Sequence, residues 1–339
     1  MSFWSGQTVL VTGATGFIGS HLVEALLDRG ARVRVVCRSR HRLESVLAER
    51  AEQVDCLEGD LTVAGTADAA CRGMQVVCHL AAQVTGVAYN QAHPGSMLAK
   101  NMVLGANMMT AAVRARVERF LCVSSACVYR RDCTIPTPES EGFIGDPEPT
   151  NFGYGWAKRF LEVQARAYQQ ESGLKVAIVR PYNSYGPRDN FAWETSHVIP
   201  ALIRKVVEGQ NPVVVWGDGT QTRSFLYVSD LVEGMLAALE HYVVADPVNL
   251  GTDEEVTIAE LVRMIAALSQ RTPRVVFDST KPTGQPRRNG DFGKARTLLR
   301  FHPRVSLEEG LRRTIRWYLE HGAERLRGSS EILRTSSAV

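Results

Sequence analysis

The 339-residue sequence has no apolar run long enough to cross a bilayer, no C-x-x-C pair and no H-x-x-x-H pair. The first absence excludes a membrane-spanning helix, and the other two remove the usual zinc spacings, so no metal site is expected. The seven cysteines, at 37, 56, 71, 78, 122, 127 and 133, are odd in number and scattered. That pattern excludes a disulfide framework, and most should be reduced thiols serving as small core residues. Charge of one sign is also scarce. Lys and Arg total 39 against 36 Asp and Glu, and a formal net charge of +3 gives no case for a nucleic-acid partner. The opening Met-Ser-Phe-Trp-Ser-Gly-Gln runs straight into an apolar stretch, so no signal peptide is read and a cytoplasmic location is expected. With 45% hydrophobic and 22% charged residues the remaining class is an ordinary soluble globular chain with ample core.

Short β-branched runs alternate with longer amphipathic stretches through the first half. Strands are expected at 8–12, 32–37, 53–57, 75–80, 119–124 and 175–180, and helices at 17–29, 41–51, 64–72, 97–115 and 151–172. Continuously apolar strands such as Val76-Val77-Cys78-His79-Leu80 suit a parallel sheet covered on both faces. The predicted fold class is therefore α/β, a doubly wound parallel sheet of the Rossmann type with a smaller mixed C-terminal region. The expected division is a dinucleotide-binding domain over 1–180, a substrate-binding region over 181–326 with sheet-completing segments near 212–250, and a flexible tail over 327–339.

The loop Gly13-Ala14-Thr15-Gly16-Phe17-Ile18-Gly19 follows the first strand and opens the first helix. A strand that turns sharply into a helix presents free N–H groups to a pyrophosphate, and glycines let the backbone come close. Gly13, Thr15, Gly16, Phe17, Ile18 and Gly19 are thus candidate cofactor contacts. Asp60-Leu61 after the third strand and Ala81-Ala82 after the fourth lie where an adenine edge and the cofactor backbone would pass. The second strand continues into Arg38-Ser39-Arg40-His41-Arg42, with no carboxylate before Glu44. A carboxylate there would select the ribose hydroxyls of NAD, whereas an arginine accommodates the 2′-phosphate of NADP. Arg38 therefore favours NADP(H), with NAD(H) the alternative.

Tyr154 and Lys158 are four apart at the start of a predicted helix and share one face. A phenol with a pKa of about 10 is a poor base at neutral pH, and an adjacent ammonium with an oxidised nicotinamide would lower it. Ser125, at the end of the fifth strand, could hydrogen-bond the same substrate oxygen. This set can remove a hydroxyl proton as hydride leaves, or do the reverse.

The glycine loop, Asp60, Ser124-Ser125, Tyr154 with Lys158, and Arg180-Pro181-Tyr182-Asn183 together resemble the extended short-chain dehydrogenase/reductase family, whose members act on nucleotide sugars. The resemblance runs to about Tyr318. Ser124-Ser125-Ala126-Cys127-Val128-Tyr129, Pro147-Glu148-Pro149-Thr150-Asn151 and Tyr185 to Phe191 with Ser196-His197-Val198 resemble the GDP-L-fucose synthase group. Trp216 to Phe225 is more similar to the GDP-mannose 3,5-epimerase group. Both groups epimerise at C3 and C5 of a GDP-linked 4-keto hexose.

The resemblance implies that Cys127 and His197 are an epimerisation acid/base pair. A C4 ketone acidifies the C3 and C5 hydrogens, and inversion needs proton removal on one face and delivery on the other. A thiol (about 8.5) and an imidazole (about 6.5) titrate near working pH. The resemblance also places substrate contacts at Asn183, Arg223 and Arg287, with Arg288 a close alternative to Arg287. It further implies a homodimer formed through helices 97–115 and 151–172. The expected activity is a C3/C5 epimerase, with NADPH-dependent C4 reduction left open. The alternatives are a 4-epimerase or 4-ketoreductase without C3/C5 inversion, or a non-catalytic NADP-binding module.

Overall fold

The structure is a computed structural model that describes residues 2–84, 87–193, 195–281 and 285–336, with side chains for all of these except 87, 88 and 323–336. The first half alternates strand and helix in the order β1 (Thr8–Thr12), α1 (Phe17–Asp28), β2 (Arg32–Cys37), α2 (Arg40–Leu47), β3 (Asp55–Glu58), α3 (Ala64–Cys71) and β4 (Val76–His79). It continues with α4 (Val87–Ala92), α5 (Pro94–Arg114), β5 (Arg119–Val123), α6 (Phe152–Ser172) and β6 (Lys175–Pro181). The β-branched strands β1, β4, β5 and β6 are buried on both sides, as parallel strands under crossover helices must be, whereas the edge strand β3 is not. Successive residues serve opposite faces. Val9, Val11, Val33 and Val35 pack with α1, α2 and a later helix. Leu10, Val36, Val77 and Phe120 pack with α3, α5 and α6.

After β6 come β7 (Ser184–Tyr185), α7 (Val198–Val207), β8 (Val213–Trp216), β9 (Thr222–Ser224), β10 (Leu226–Tyr227), α8 (Val228–His241) and β11 (Val244–Leu250). The chain ends with β12 (Glu255–Thr257), α9 (Ile258–Leu268), β13 (Val275–Asp278), β14 (Arg287–Arg288), α10 (Gly293–Leu299) and α11 (Leu307–Ser336). Thr257 and Glu260 form a reciprocal capping box that starts α9. Where a flexible tail was expected from 327, α11 runs on to Ser336; residues 337–339 lie outside the described residues.

The main sheet has seven strands in the order β11-β6-β5-β4-β1-β2-β3. All of its pairings are parallel. Six of these strands match the sequence expectation, the third shifted to 55–58. Of the 212–250 stretch, only β11 joins this sheet, while β8 pairs with β13 in a separate two-stranded parallel sheet. The direction of winding reverses between β1 and β4. In an open α/β sheet the crevice beyond the strand ends at that reversal is where ligands bind. β9, flanked by β12 and β14, forms a small three-stranded sheet, and a third cluster built on Tyr185, Ile203, Leu261 and Leu311 makes the core of this second half.

Candidate functional site

The glycine loop sits at the reversal. Gly13 has a left-handed φ of +73°, and a Cβ there would stand 2.9 Å from the backbone N of Ala81 beyond β4. A Cβ on Gly19 would lie 2.2 Å from the Gly13 carbonyl oxygen. Both positions therefore demand glycine for close backbone approach. Gly16 is the N-cap of α1 and brings no side-chain cap, so the first-turn N–H groups stay available to an anion. The Thr12 hydroxyl accepts from the N–H groups of Leu80 (3.1 Å) and Ala81 (3.0 Å), and lies 2.9 Å from His79 Nδ1. Having used both lone pairs, Thr12 donates its proton to Nδ1, which fixes His79 as the Nε2–H tautomer. Burial lowers His79 to about 3, in keeping with a neutral ring. Ala81 and Ala82 are half-buried beside this crossing.

Arg38 is exposed at the end of β2, and Ser39 caps α2 by accepting from the Arg42 N–H. Desolvation and the Arg38 charge hold Arg42 below its ordinary range, so the two guanidinium groups feel each other. The nearest carboxylate in sequence, Glu44, pairs with Arg40 at 3.2 Å. Among the described residues no ion pair neutralises Arg38 or Arg42. Asp60 accepts from the Thr62 N–H (2.8 Å) and hydroxyl (2.9 Å), which hold its carboxyl low, with Arg38 adding to the effect. Leu61 is buried, and its carbonyl accepts from Asn107. These residues fit a dinucleotide: a glycine cradle that a Cβ would fill, an open helix N-terminus and a basic strand end.

At the end of β5 the chain enters a 3-10 turn over 126–128, and the Ser125 hydroxyl caps it by accepting from the Cys127 N–H at 3.1 Å. The turn brings Cys127 back over α6, where Tyr154 and Lys158 share a face. Lys158 is buried, donates to the Val123 carbonyl at 2.7 Å and lies 5.4 Å from the Tyr154 ring centroid. Burial lowers Lys158 to about 8, against the pull of Cys122, Cys127 and Glu162. Tyr154 moves the other way from expectation. Burial, then Cys127, raise the phenol well above its ordinary value, and contact with the Ser125 side chain only partly opposes them. In the chain by itself, desolvation sets the direction.

Strand alternation separates the two candidate arginines of β14. Arg288 lies opposite Arg223 in the β9–β14 register and places its guanidinium 3.7 Å from the Cys127 sulfur. Arg287 faces the other way, half-exposed, and makes a bidentate pair with Glu255 at 2.6 to 3.1 Å. Burial and then the Arg288 charge lower Arg223 to about 10. Asn183, between β6 and β7, donates to the Ser224 carbonyl at 3.0 Å and so ties that turn to β9. His197 occupies the N-cap position of α7 without a side-chain cap bond; its side chain is 56% exposed and lies 3.9 Å from Asp189. No hydrogen bond or ion pair among the described residues joins it to Cys127. The structure therefore brings together Ser125, Cys127, Tyr154, Lys158, Arg223 and Arg288, and leaves Arg287 in an ion pair and His197 on a separate loop.

Beneath this group is a buried network that the sequence reading missed. Glu162 accepts from Ser124 and pairs with both arms of Arg180 at 2.7 and 2.8 Å, each side chain fully buried. Arg180 also donates to the Tyr129 hydroxyl at 2.9 Å, which in turn donates to Asn249 of β11 at 2.6 Å. Burial opposes the Arg180 charge, but Glu162 more than compensates and raises it. The spacing of Glu162, one turn beyond Lys158 on the same face of α6, was the available signal.

Among the described residues no cluster of His, Cys, Asp and Glu could hold a metal ion, and no helix is long and apolar enough to cross a membrane. The model of the NAD dependent epimerase/dehydratase family matches residues 9–251. The chain is 36% identical to GDP-L-fucose synthase of Escherichia coli (strain K12), over 96% of this chain and 100% of that one. It is 34% identical to a dTDP-4-dehydro-6-deoxy-D-allose reductase of a Streptomyces species, over 94% and 98% of the two chains. Among solved structures, UDP-glucose 4-epimerase of Thermotoga maritima superposes with a TM-score of 0.83 at 28% identity, covering 93% of this chain and 99% of that one.

Proposed function

The chain belongs to the NAD dependent epimerase/dehydratase family, and on that premise we propose that it inverts C3 and C5 of a GDP-linked 4-keto hexose and reduces C4 with NADPH. The observation that carries the reading is the clustering of Ser125, Cys127, Tyr154 and Lys158, with Arg288 3.7 Å from the sulfur. The similarity to GDP-L-fucose synthase of E. coli supports the GDP-linked substrate.

A bound NADPH supplies hydride for C4. Gly13, Thr15, Gly16, Phe17, Ile18 and Gly19 would hold its pyrophosphate and Asp60 with Leu61 its adenosine. Ala81 and Ala82 leave room for its backbone. Arg38, joined by Arg42, would take the 2′-phosphate, since among the described residues no ion pair ties up either guanidinium. Ser125 and Tyr154 hold the C4 oxygen. Tyr154 keeps its proton, as its burial requires, and can deliver it to the alkoxide when the ketone is reduced. The Cys127 sulfur removes a proton next to the ketone to leave an enolate, and His197 returns one from the opposite face, so that the carbon inverts and no atom is gained or lost. Arg223 and Arg288 repel each other, and a diphosphate seated between them would relieve that repulsion.

Incubation with GDP-4-keto-6-deoxymannose in D₂O tests this. Deuterium at C3 and C5 of the product is expected, lost in Cys127→Ser while dinucleotide affinity is unchanged. NADPH consumption with no deuterium incorporation would instead favour a 4-ketoreductase, the reading that the similarity to the Streptomyces reductase supports.

We also propose a homodimer through α5 and α6. Met108, Met109 and Leu161 are spent on the sheet-facing core, which leaves Val103 (42% exposed), Phe152 (43%) and Val163 (50%) on the outer side. Light scattering of the chain and of Val103→Glu/Val163→Glu would separate dimer from monomer.

A further inference from the structure

We infer that Asp189 is the positioning residue of His197: its carboxylate orients the imidazole and supports its charge during proton delivery. The pairing stands on geometry, and only the purpose of the imidazole rests on the epimerase reading.

The loop between β7 and α7 is fixed on both sides of Asp189. Arg188, with a left-handed φ of +67°, reaches back to α1 and pairs with both oxygens of Glu24 at 2.6 and 2.7 Å and with His21 at 2.8 Å. Phe191 is buried and stacked on Tyr318 of α11, with centroids 4.7 Å apart. Between these anchors Asn190 folds the loop onto itself. Its amide donates to the Thr195 carbonyl (3.1 Å) and hydroxyl (2.8 Å), and its carbonyl accepts from the Ala192 N–H (3.0 Å). That closure returns His197 to Asp189, with Nδ1 3.9 Å from Oδ1.

Asp189 itself carries an unmet demand. Its side chain is only 4% exposed. Oδ1 accepts from the Asn190 N–H at 2.6 Å, while Oδ2 is buried without a hydrogen-bond partner among the described residues. A carboxylate so placed is costly unless a positive charge shares the site. Arg188 is committed to Glu24 and His21. On α7, Arg204 donates to the Phe191 carbonyl and lies 3.7 Å from the Trp193 ring centroid, and Lys205 donates to the Val214 carbonyl at 2.7 Å. Among the described residues, the His197 imidazole is the titratable group placed within ion-pair distance of Asp189. The nearby Asp189 carboxylate raises His197 above its ordinary value despite the opposing desolvation, so protonation satisfies both partners. Catalytic hydrogen bonds are often long in an unliganded site and tighten in the substrate complex, and 3.9 Å leaves a short distance to close.

The test is histidine NMR titration of the full chain in the absence of substrate, with the His197 signal assigned by its loss in His197→Gln. Asp189→Asn should lower the His197 pKa. It should also reduce kcat for C–H exchange by about 10- to 100-fold, with KM within about threefold. Asp189→Glu should restore part of both, and dinucleotide affinity should be unchanged in either variant. An unaltered His197 titration in folded Asp189→Asn would overturn the inference. Absence of C–H exchange in the wild-type chain, with the His197 titration still dependent on Asp189, would overturn the epimerase reading and leave the pairing standing.

Discussion

The Arg288 guanidinium lies 3.7 Å from the Cys127 sulfur, while its neighbour Arg287 turns to Glu255 from the opposite face of the same strand. Side chains alternate along a strand, so one residue separates a cleft contact from a surface ion pair. Arg288→Leu should raise KM for the nucleotide sugar about tenfold or more, the loss of one charge-assisted contact. Arg287→Leu should leave KM within about twofold, because an exposed pair contributes little. Steady-state kinetics on the two variants decides; equal effects would mean that β14 does not present Arg288 to substrate.

Cofactor choice should follow Arg38 and Arg42. Replacing Arg38 with Asp should weaken NADP(H) by about tenfold or more and shift the affinity ratio toward NAD(H). Arg42→Ala should weaken NADP(H) alone, by a smaller factor. Fluorescence titration with both dinucleotides measures each. An unchanged ratio in Arg38→Asp would place the 2′-phosphate elsewhere.

Lys158 gives a pH dependence whose sign is fixed. Burial lowers it from 10.5 to about 8. Below pH 8 it is an ammonium and attracts the anionic dinucleotide; as pH rises through 8 that charge is lost. Dinucleotide affinity should therefore be highest on the acid side and fall above about pH 8, and Lys158→Met should flatten the profile. Between 8 and 10.5 the unfolded chain holds a proton that the folded chain has released, so this group's contribution to stability rises with pH across that window. Calorimetric titration between pH 6 and 10 follows the binding.

Glu162→Gln should destabilise the fold by about 3–5 kcal/mol, because it strands Arg180 in the interior without its counter-charge. The double variant Glu162→Leu/Arg180→Met should lose less than the single one, since it removes both desolvated charges. Urea denaturation compares them. A single variant as stable as the parent would remove the ion pair from the structural support of the site.

The strands and the glycine loop were legible because their signals are local. An apolar run followed by Gly13, Gly16 and Gly19 specifies strand, turn and helix within a dozen residues, and the switch point then follows from the alternation of elements. The face of Arg288 was not legible, because β14 is two residues long and takes its orientation from pairing with β9, sixty-odd residues earlier in the chain. Nor did composition reveal the direction of the Tyr154 shift. Spacing places Lys158 beside the phenol, but only the packing around it sets the desolvation that wins. The Arg180–Glu162 pair joins β6 to α6, and its full burial depends on Tyr129 and Asn249 arriving from β5's exit and from β11.

The outermost strand of the main sheet comes from residues 244–250, well past the point where the dinucleotide half was expected to end. A fragment cut after Pro181 would leave β6 with a bare row of backbone donors and acceptors along a long apolar rim. It would also strip the α8 cover from Val123, Ala177 and Val179. Such a rim templates pairing with other chains. An isolated N-terminal half should therefore precipitate, whereas a fragment retained through Leu299, at the end of α10, carries its own edge strand and the helices that shield it.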